Sequence, residues 1–365
     1  MISMDHGATS FPKPLSVIRA VERTMRACAN PGRGGYEAAQ NADRVVYGCR
    51  EEAAALFGSR PEQVVFTMNC THGLNIAIRS IVRPGMKVAV SGFEHNAVMR
   101  PLYALDADIR ICGRRLFDWE DTLRDFQAAL DHGAEAVVCT HVSNVFGYIL
   151  PLEQIADLCR QRGRPLIVDA AQSAGTLPLD LGALGADFIA MPGHKGLLGP
   201  QGTGILLCKD GAEPLLFGGT GTASKERTMP QELPERLEAG TLNVPGIGGL
   251  REGLKLVRRM GPDEIFCRER SGAEEAVRIL EARGFRVFHG SHQAGVVSFL
   301  PEISCESFGE LLARRGIAVR AGFHCAPLAH ESAGTLETGT VRLSFGHNAT
   351  ARQATEFLRI LKNVM

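Results

Sequence analysis

The sequence predicts an α/β protein with a large domain around a mainly parallel seven-stranded sheet and a smaller α+β domain at the C-terminal end. Short apolar runs alternate with amphipathic helical segments between residues 62 and 208, which is typical of a parallel sheet buried on both faces. This alternation ends at residue 208. The 365 residues also exceed the roughly 250–300 at which one core usually stops growing, so two domains are expected.

The N-terminal part precedes the sheet and is predicted to be helical after a short arm. Residues 1–14 form an irregular arm, in which Pro12 and Pro14 disfavour a regular element. Apolar residues at helical spacing then predict helices over 16–28 and 36–57, separated by a Gly-rich break.

Short apolar runs provide the strands of the large sheet. They lie at residues 64–67, 87–90, 109–112, 136–140, 165–169, 187–191 and 203–207. Predicted helices between them cover residues 74–82, 119–130 and 152–162. In such sheets ligands bind beyond the carboxyl ends of the strands, so polar residues that follow strands are the first candidates for a site. Those that stand out are Thr71, His95, Asn144, Asp169 and Lys195.

The segment 209–245 is polar, irregular and too long for a plain connection, which indicates a function or an interface. A helix over 247–260 then leads into the second domain. The predicted helices of that domain are 262–283, 306–315 and 350–364, and its predicted strands are 285–289, 294–300, 317–320 and 340–345. We assign residues 15–246 to the large domain, and residues 1–14 together with 247–365 to the small domain.

The composition narrows the class of protein. The chain is 45% apolar and 22% charged, and its formal net charge is zero, so nothing favours binding to nucleic acid or to an anionic membrane. Ten cysteines without a CxxC pair argue against a zinc site and a disulfide framework, and for a reducing compartment. No secretory signal and no apolar run of roughly 18–20 residues is present. We therefore expect a cytoplasmic protein without a metal site.

The most informative residue is a lysine between glycines. Lys195, in Gly-His-Lys-Gly, lacks the charged neighbours of an exposed helix lysine, and an amine in a dehydrated pocket can become a nucleophile toward carbonyls. Asp169 ends an apolar strand, where a buried carboxylate needs a partner. A Schiff-base lysine and an acid for a pyridinium nitrogen are the pair that pyridoxal phosphate (PLP) requires. The structural alternatives are a surface turn for Lys195 and a helix N-cap for Asp169.

Other residues that follow strands suit the remaining parts of such a cofactor. Thr71 and His72 open a helix, where free N–H groups and the helix dipole bind phosphate, although a simple N-cap explains the same pattern. The flat ring of His95 could stack on a pyridine ring and move protons. Asn144 and Gln172 could reach a cofactor oxygen, although Asn before a glycine is also common in plain turns.

A second group of candidates lies in the C-terminal domain. Cys325 follows a strand in a loop with Gly, Pro and His, and it is the cysteine that looks least like core packing. Arg320 and His324 are close enough in sequence to favour its thiolate. Arg342 interrupts an apolar strand, which suggests a fixed fork for a substrate carboxylate. The alternatives are an inert loop cysteine and a structural salt bridge.

These motifs together resemble the class V (fold type I) aminotransferase family of PLP-dependent enzymes, and within it the cysteine desulfurases. The resemblance extends along nearly the whole chain. It rests on Asp5-His-Gly-Ala-Thr-Ser, Glu94-His95-Asn96, His141-Val-Ser-Asn144, Val168-Asp169-Ala-Ala-Gln172, Gly193-His194-Lys195 with Gly199-Pro200, Glu238-Ala-Gly-Thr241, Arg320-x-x-x-His324-Cys325 and Arg342.

The resemblance implies how the cofactor is held. Lys195 binds PLP covalently, His95 stacks on the ring and Asp169 holds the pyridine nitrogen. Asn144 and Gln172 contact the cofactor or the substrate.

The resemblance also implies the phosphate site and a homodimer. Thr71 and His194 bind the phosphate, and Thr241 reaches the phosphate of the neighbouring subunit. Pro192 stands where many relatives carry a serine, so one phosphate contact is missing or replaced. Cys70, like His72, flanks Thr71 at a position that varies among relatives.

For the reaction, the resemblance implies that Cys325 is the nucleophile and that Arg342, with Arg320, binds the substrate carboxylate. The short segment around Cys325 is similar to the desulfurase group with a compact cysteine loop. The implied reaction removes sulfur from L-cysteine and leaves L-alanine and a persulfide on Cys325, which a sulfur-acceptor protein then receives.

The sequence leaves three alternatives open. A selenocysteine lyase acting on L-selenocysteine shares the same scaffold. A class V aminotransferase, or another PLP-dependent lyase, would act without Cys325. A sulfur-relay or scaffold protein would keep the fold without catalysis, but Lys195, Asp169, His95 and Arg342 argue against it.

Overall fold

The computed structural model describes residues 1–32, 34–349, 356–357 and 359–361. The strands in chain order are β1 Ile2–Ser3, β2 Val64–Thr67, β3 Lys87–Ser91, β4 Asp108–Cys112, β5 Ala136–Thr140, β6 Leu166–Asp169, β7 Phe188–Pro192, β8 Gly204–Cys208, β9 Arg286–Phe288, β10 Val296–Leu300, β11 Ile317–Ala318, β12 Arg320–Gly322 and β13 Thr340–Ser344. The helices are α1 Leu15–Ala27, α2 Glu37–Phe57, α3 Cys70–Ile81, α4 Asn96–Ala104, α5 Trp119–Asp131, α6 Leu152–Gln161, α7 Leu181–Leu184, α8 Val244–Met260, α9 Pro262–Glu281, α10 Cys305–Arg314 and α11 Pro327–Ala333. The predicted final helix, 350–364, lies largely outside the described residues.

The large sheet has the strand order β2-β8-β7-β6-β5-β3-β4. Strand β8 is antiparallel to both of its neighbours, and all other neighbouring pairs are parallel. The prediction of a mainly parallel seven-stranded sheet is therefore confirmed. Its parallel strands place their carboxyl ends along one edge, where Thr140 of β5 pairs with Asp169 of β6.

Helices cover both faces of this sheet because its strands are apolar on both sides. In β7, Ile189 and Met191 pack into a core with α2, α5, α6 and α8, whereas Phe188 and Ala190 pack into a core with α3 and α4. This alternation follows from the two-residue period of a strand. No helix in the described ranges is long and apolar enough to cross a membrane.

The second domain is built on the antiparallel sheet β12-β13-β10-β9. Its core includes Phe299 of β10 and Phe308 of α10, which meet edge to face with Phe285. The N-terminal arm joins this domain, since β1 pairs with β11 in parallel. On this basis we propose the domain division at residues 14 and 246, with α8 packed against α1 and α2 as the connection.

Some element boundaries differ from the sequence prediction, and capping explains several of them. Helix α3 begins at Cys70, and α8 begins at Val244, because the Asn69 and Asn243 side chains each accept a backbone N–H of the first turn. Helix α4 was not predicted because Pro101, which disfavours a helix interior, lies within it. The predicted strand 317–320 is instead divided into β11 and β12, which pair with different strands.

Candidate active site

The predicted site residues of the large domain lie along the carboxyl edge of its sheet. Thr71 follows β2, His95 follows β3 and Asn144 follows β5, while Asp169 ends β6 and Lys195 follows β7. The sequence therefore located this edge correctly, and the crossover topology brings together residues that are far apart in the chain.

Asp169 is buried and anchored through one oxygen. Its Oδ1 accepts hydrogen bonds from the Ala171 N–H at 2.9 Å and from the Cys70 thiol at 3.5 Å. Burial, reinforced by the Asp169 charge, raises the pKa of the Cys70 thiol well above its usual value, so Cys70 stays protonated and donates. Among the described residues, no side chain or N–H group donates a hydrogen bond to Oδ2, which leaves that oxygen available to a cationic partner.

Lys195 lies in the same electrostatic environment as Asp169. Burial lowers the pKa of its ammonium, the Arg342 charge lowers it further, and the Asp169 carboxylate acts in the opposite direction. The loop that carries Lys195 is tight, since a Cβ on Gly196 would lie 2.3 Å from the Ala174 carbonyl oxygen. A lysine with a lowered pKa on a constrained loop loses its proton more readily than an exposed lysine, which favours attack of its amine on a carbonyl.

His95 caps helix α4 and connects this region to the cysteine loop. Its Nδ1 accepts the Ala97 N–H at 3.0 Å, so the proton of the neutral ring resides on Nε2. Burial lowers the pKa of His95, against the opposing effect of Asp169. The next residue, Asn96, donates its N–H to the Cys325 carbonyl at 2.8 Å.

Cys325 is presented on a strained turn. Cys325 and Cys267 are the exposed cysteines, whereas burial raises the pKa of buried thiols such as Cys305, to about 11. His324 and Cys325 both have left-handed backbones, with φ of 50° and 56°, a conformation that costs on the order of 1 kcal/mol or more per non-glycine residue. The large domain holds the turn, since the Asn144 Nδ2 donates to the His324 carbonyl at 2.7 Å.

The expected contribution of His324 to a Cys325 thiolate is wrong. Burial, with the Arg342 charge second, lowers the pKa of His324 to about 2, so its imidazole is neutral. Its Nε2 lies 3.2 Å from the Thr340 carbonyl oxygen and donates there. Arg320 and Arg342 are guanidinium groups whose charges interact with Cys325.

Arg342 and Arg320 are brought together by a residue to which sequence analysis assigned no role. Arg342 is 2% exposed, and its Nη1 donates to the Asn144 carbonyl at 2.9 Å. Its Nη2 donates to Asp5 Oδ1 at 2.9 Å, and the Arg320 Nη2 donates to Asp5 Oδ2 at 2.8 Å. The signal for Asp5 was the buried arginine itself, because a buried guanidinium needs a counterion.

The candidate phosphate residues Thr71 and His72 lie at the start of α3, whereas His194 lies in the lysine loop after β7. Thr71 is exposed in the first turn of α3, and the His72 Nδ1 accepts the Met68 N–H at 3.3 Å. His72 and the exposed Thr241 line the same cavity of about 190 Å³. Burial lowers the pKa of His194 to about 4, so its ring is neutral.

Three neighbouring residues complete the surroundings of the lysine loop. The Lys13 Nζ, another group missed in the sequence, donates to the His194 carbonyl at 2.7 Å, and burial lowers the pKa of Lys13 to about 8. Gln172 donates from Nε2 to the Gly7 carbonyl at 3.0 Å, so its amide faces the N-terminal arm. Pro192 is buried as the last residue of β7.

The arrangement combines a lysine amine of lowered pKa, a buried carboxylate, an arginine pair and an exposed thiol. Within the ranges that the structure describes, no group of three or more His, Cys, Asp or Glu side chains is arranged to hold a metal ion. These side chains offer amine, carboxylate and thiol chemistry.

Comparison with known proteins yields one family. The model of the family described as "Aminotransferase class-V" matches residues 2–357. A probable cysteine desulfurase of Methanothermobacter thermautotrophicus is 33% identical, with 95% of this chain and 90% of the relative covered. A probable cysteine desulfurase of Pyrococcus abyssi is 32% identical, with 100% of this chain and 94% of the relative covered.

Solved structures show the same likeness. The apo cysteine desulfurase of Thermococcus onnurineus superposes with a TM-score of 0.91 at 29% identity, covering 100% of this chain and 94% of that one. A cysteine desulfurase of Escherichia coli superposes with a TM-score of 0.87 at 26% identity, covering 99% and 94%. These likenesses confirm the predicted fold class, and the chain belongs to the class-V aminotransferase family.

Proposed function

We propose that this protein is a PLP-dependent cysteine desulfurase, which converts L-cysteine to L-alanine and carries the sulfur as a persulfide on Cys325. The observation that carries the proposal is the placement of Cys325. Its exposed thiol stands on a fixed turn under the influence of Arg320 and Arg342, and its carbonyl is one hydrogen bond from the helix that His95 caps. An aminotransferase has no use for a thiol at this place.

The residues present fit PLP. Lys195 has a lowered pKa, and Asp169 is buried with one oxygen anchored, so both suit the covalent link and the pyridinium N–H. The Oδ1 of Asn144 is buried without a hydrogen-bond partner in the described structure, which suits contact with a bound group. His95 would lie against the ring, and Gln172 would contact the cofactor or the substrate.

For the phosphate, we propose the start of α3 and the residues near it. The first N–H groups of this helix favour an anion, and the Thr71 hydroxyl adds a donor. His72 and His194 would complete the site from one protomer. We further propose a homodimer in which Thr241 reaches the neighbouring active site, since exposed apolar side chains on α1, such as Ile18 and Met25, would be covered by a partner.

The chain's own groups account for binding and proton transfer. Arg342 and Arg320 would bind the substrate α-carboxylate, because guanidinium groups suit planar carboxylates. The chemistry that PLP supplies when bound is delocalisation of the electron pair left at the substrate Cα. The Lys195 Nζ would take the Cα proton, a task that its lowered pKa favours.

Cys325 then receives the sulfur. Its Sγ, as a thiolate, would attack the sulfur of the substrate, so that a bond forms between the two sulfurs and the Cβ–S bond breaks. The electron pair of the broken bond goes to Cβ, and protonation of the carbon skeleton gives L-alanine. The persulfide on the exposed Cys325 would then pass to a sulfur-acceptor protein.

Alanine formation tests this proposal. The PLP-loaded protein is incubated with L-cysteine and a thiol reductant, and alanine and sulfide are measured. We expect equal amounts of both, and a loss of at least about 100-fold in the Cys325→Ala variant. The Cys267→Ala variant is the matched control because Cys267 is also exposed. Unchanged turnover in Cys325→Ala would contradict the proposal and favour a lyase or an aminotransferase.

A substrate comparison separates the nearest alternative. Turnover of L-selenocysteine and L-cysteine is measured with the same PLP-loaded preparation. Turnover of L-selenocysteine alone would replace the proposed activity by that of a selenocysteine lyase.

A further inference from the structure

The cluster of Asp5, Arg320 and Arg342 contains a carboxylate of the protein itself, which binding of a substrate carboxylate by two arginines does not require. Arg320 of β12 and Arg342 of β13 stand directly opposite each other in the antiparallel pair. Like charges directly opposite on neighbouring strands are destabilising. A third group must therefore compensate for their repulsion.

Asp5 is that group, and its position is fixed by the backbone. It forms a parallel bridge with Ser344 on β13, and the Ser344 N–H donates to the Met4 carbonyl at 2.8 Å. The neighbouring Gly7 N–H donates to the Ser344 Oγ at 2.8 Å. Hydrogen bonds between Ser344 and the arm before and after Asp5 therefore hold its carboxylate between the two arginines.

Both oxygens of Asp5 are engaged. Oδ1 accepts from Arg342 Nη2 at 2.9 Å and from Arg320 Nε at 3.2 Å, and Oδ2 accepts from Arg320 Nη2 at 2.8 Å. Two guanidinium groups and one carboxylate leave one net positive charge. Arg342 donates to the Asn144 carbonyl at 2.9 Å, and the Asn144 side chain donates to the carbonyl of His324, the residue before Cys325, at 2.7 Å. The cluster therefore lies beside the turn that carries Cys325.

We propose that Asp5 is a specificity-determining residue: it holds Arg320 and Arg342 in one cluster and leaves a single positive charge, so that the site accepts one carboxylate and rejects a second. This inference rests on the proposed function, since it takes the substrate carboxylate to bind at the two arginines. With one substrate carboxylate bound, two positive and two negative charges balance. A second carboxylate would be left unpaired beside the buried Arg342, which is unfavourable.

The test measures how a monocarboxylate and a dicarboxylate inhibit L-cysteine turnover by the PLP-loaded enzyme. The probes are propionate and succinate. We expect succinate to inhibit the wild-type enzyme no more strongly than propionate does. In Asp5→Asn the cluster gains a second net positive charge, so the inhibition constant of succinate should fall at least about tenfold, and that of propionate less than about threefold.

Matched variants separate this role from a structural one. Asp5→Glu keeps the charge and should retain the wild-type preference. Asp108→Asn removes an exposed carboxylate from the edge strand β4 and should change neither inhibition constant. The double variant Asp5→Asn with Arg320→Ala restores one net positive charge, so its succinate inhibition should return toward the wild-type value. A merely structural role of Asp5 would affect both inhibitors alike.

Equal shifts for succinate and propionate in Asp5→Asn, or no shift in either, would overturn the inference. If Asp5→Asn does not fold, Arg320→Ala decides, since it leaves no net charge and should raise the inhibition constant of succinate at least about threefold more than that of propionate. Equal rises of the two constants in this variant would overturn the inference. Failure of the proposed function is distinguishable, because it would appear as an absence of alanine from the wild-type enzyme before any inhibitor is added.

Discussion

At the residue scale, the hydrogen bonds around Asp169 show how one carboxylate is prepared for a cation. A thiol and a backbone N–H donate to the same oxygen, which fixes the orientation of the carboxylate. The thiol belongs to Cys70, the first residue of α3, so the helix at the candidate phosphate site also positions the carboxylate that we propose for the pyridine nitrogen. These two parts of the proposed cofactor site are therefore mechanically connected.

Removal of the Cys70 thiol should weaken PLP binding. In Cys70→Ala we expect the dissociation constant of PLP, measured by absorption titration, to rise about three- to tenfold, because a thiol is a weak donor but the acceptor is charged. Cys70→Ser retains a donor and should remain within about twofold of the wild-type value. Equal affinities of Cys70→Ala and wild type would show that the contact with Asp169 has no influence on the cofactor.

Some of the residues at the candidate site can be recognised from the sequence, and others cannot. Lys195, Asp169 and Cys325 could be found because each breaks an apolar or regular local pattern. Asp5 and Cys70 could not, because their roles depend on contacts with residues far along the chain, such as Arg342 for Asp5. The sequence around Asp5 does not show that the N-terminal arm lies beside β13, which carries Arg342.

At the element scale, α8 shapes the loop that carries Lys195. Glycines on this helix allow it to lie against the loop and against α1, and a Cβ on Gly253 would be 2.3 Å from the Leu197 carbonyl oxygen. That oxygen is backbone in a tight turn, so it cannot move away cheaply. The connection between the domains therefore also supports the lysine.

Gly253→Ala should destabilise the protein and weaken its binding of PLP. Alanine gains about 1 kcal/mol of helix propensity, but overpacking against a backbone oxygen costs about 1–3 kcal/mol or more, so the clash decides the sign. We expect a fall in the melting temperature and a rise in the PLP dissociation constant. Gly211→Ala, which meets nothing within 4 Å, is the control. A higher melting temperature in Gly253→Ala would refute this account of α8.

Element types were more predictable than element boundaries. The strands of the large sheet were found because their apolar runs are short and bounded by turn residues. Helix α4 was missed because Pro101 is a helix-breaking signal in sequence, although the structure tolerates it beyond the first turn of a capped helix. The left-handed turn at Cys325 has no sequence signal either, since tertiary hydrogen bonds maintain it.

At the scale of the whole molecule, buried ionisable groups set the dependence of stability on pH. Burial raises the pKa of Glu94 and of Glu269 to about 8, from 4.5. Burial lowers the pKa of His6, His141 and His330 to about 4, from 6.5. As the pH rises, the histidines increase the stability of the folded state and the glutamates decrease it, because both kinds of residue are held in the neutral form when buried.

We expect the melting temperature of the PLP-free protein to pass through a maximum near pH 6.5. Below that pH the unfolded chain binds protons at the three histidines that stay neutral in the folded state, and their effect exceeds the opposite effect of the two glutamates. Stability is therefore lost as the pH falls to about 4. Above it, the folded state keeps protons on Glu94 and Glu269 that the unfolded chain has released, so stability falls as the pH rises to about 8. Thermal denaturation from pH 5 to 8.5 checks this, and Glu94→Gln should flatten the alkaline side. A steady rise in melting temperature up to pH 8.5 would contradict the assignment.

Lys195 and Asp169 lie at the edge of the large sheet, while Cys325 and Arg342 come from the C-terminal part of the chain, so the proposed reaction depends on both parts. The most direct test of sulfur transfer to Cys325 is mass spectrometry of the Cys325 peptide after one turnover of L-cysteine by the PLP-loaded protein, without reductant. We predict one added sulfur atom on this peptide, none on the Cys267 peptide, and one equivalent of alanine. An unmodified Cys325 peptide accompanied by alanine would contradict the role of Cys325.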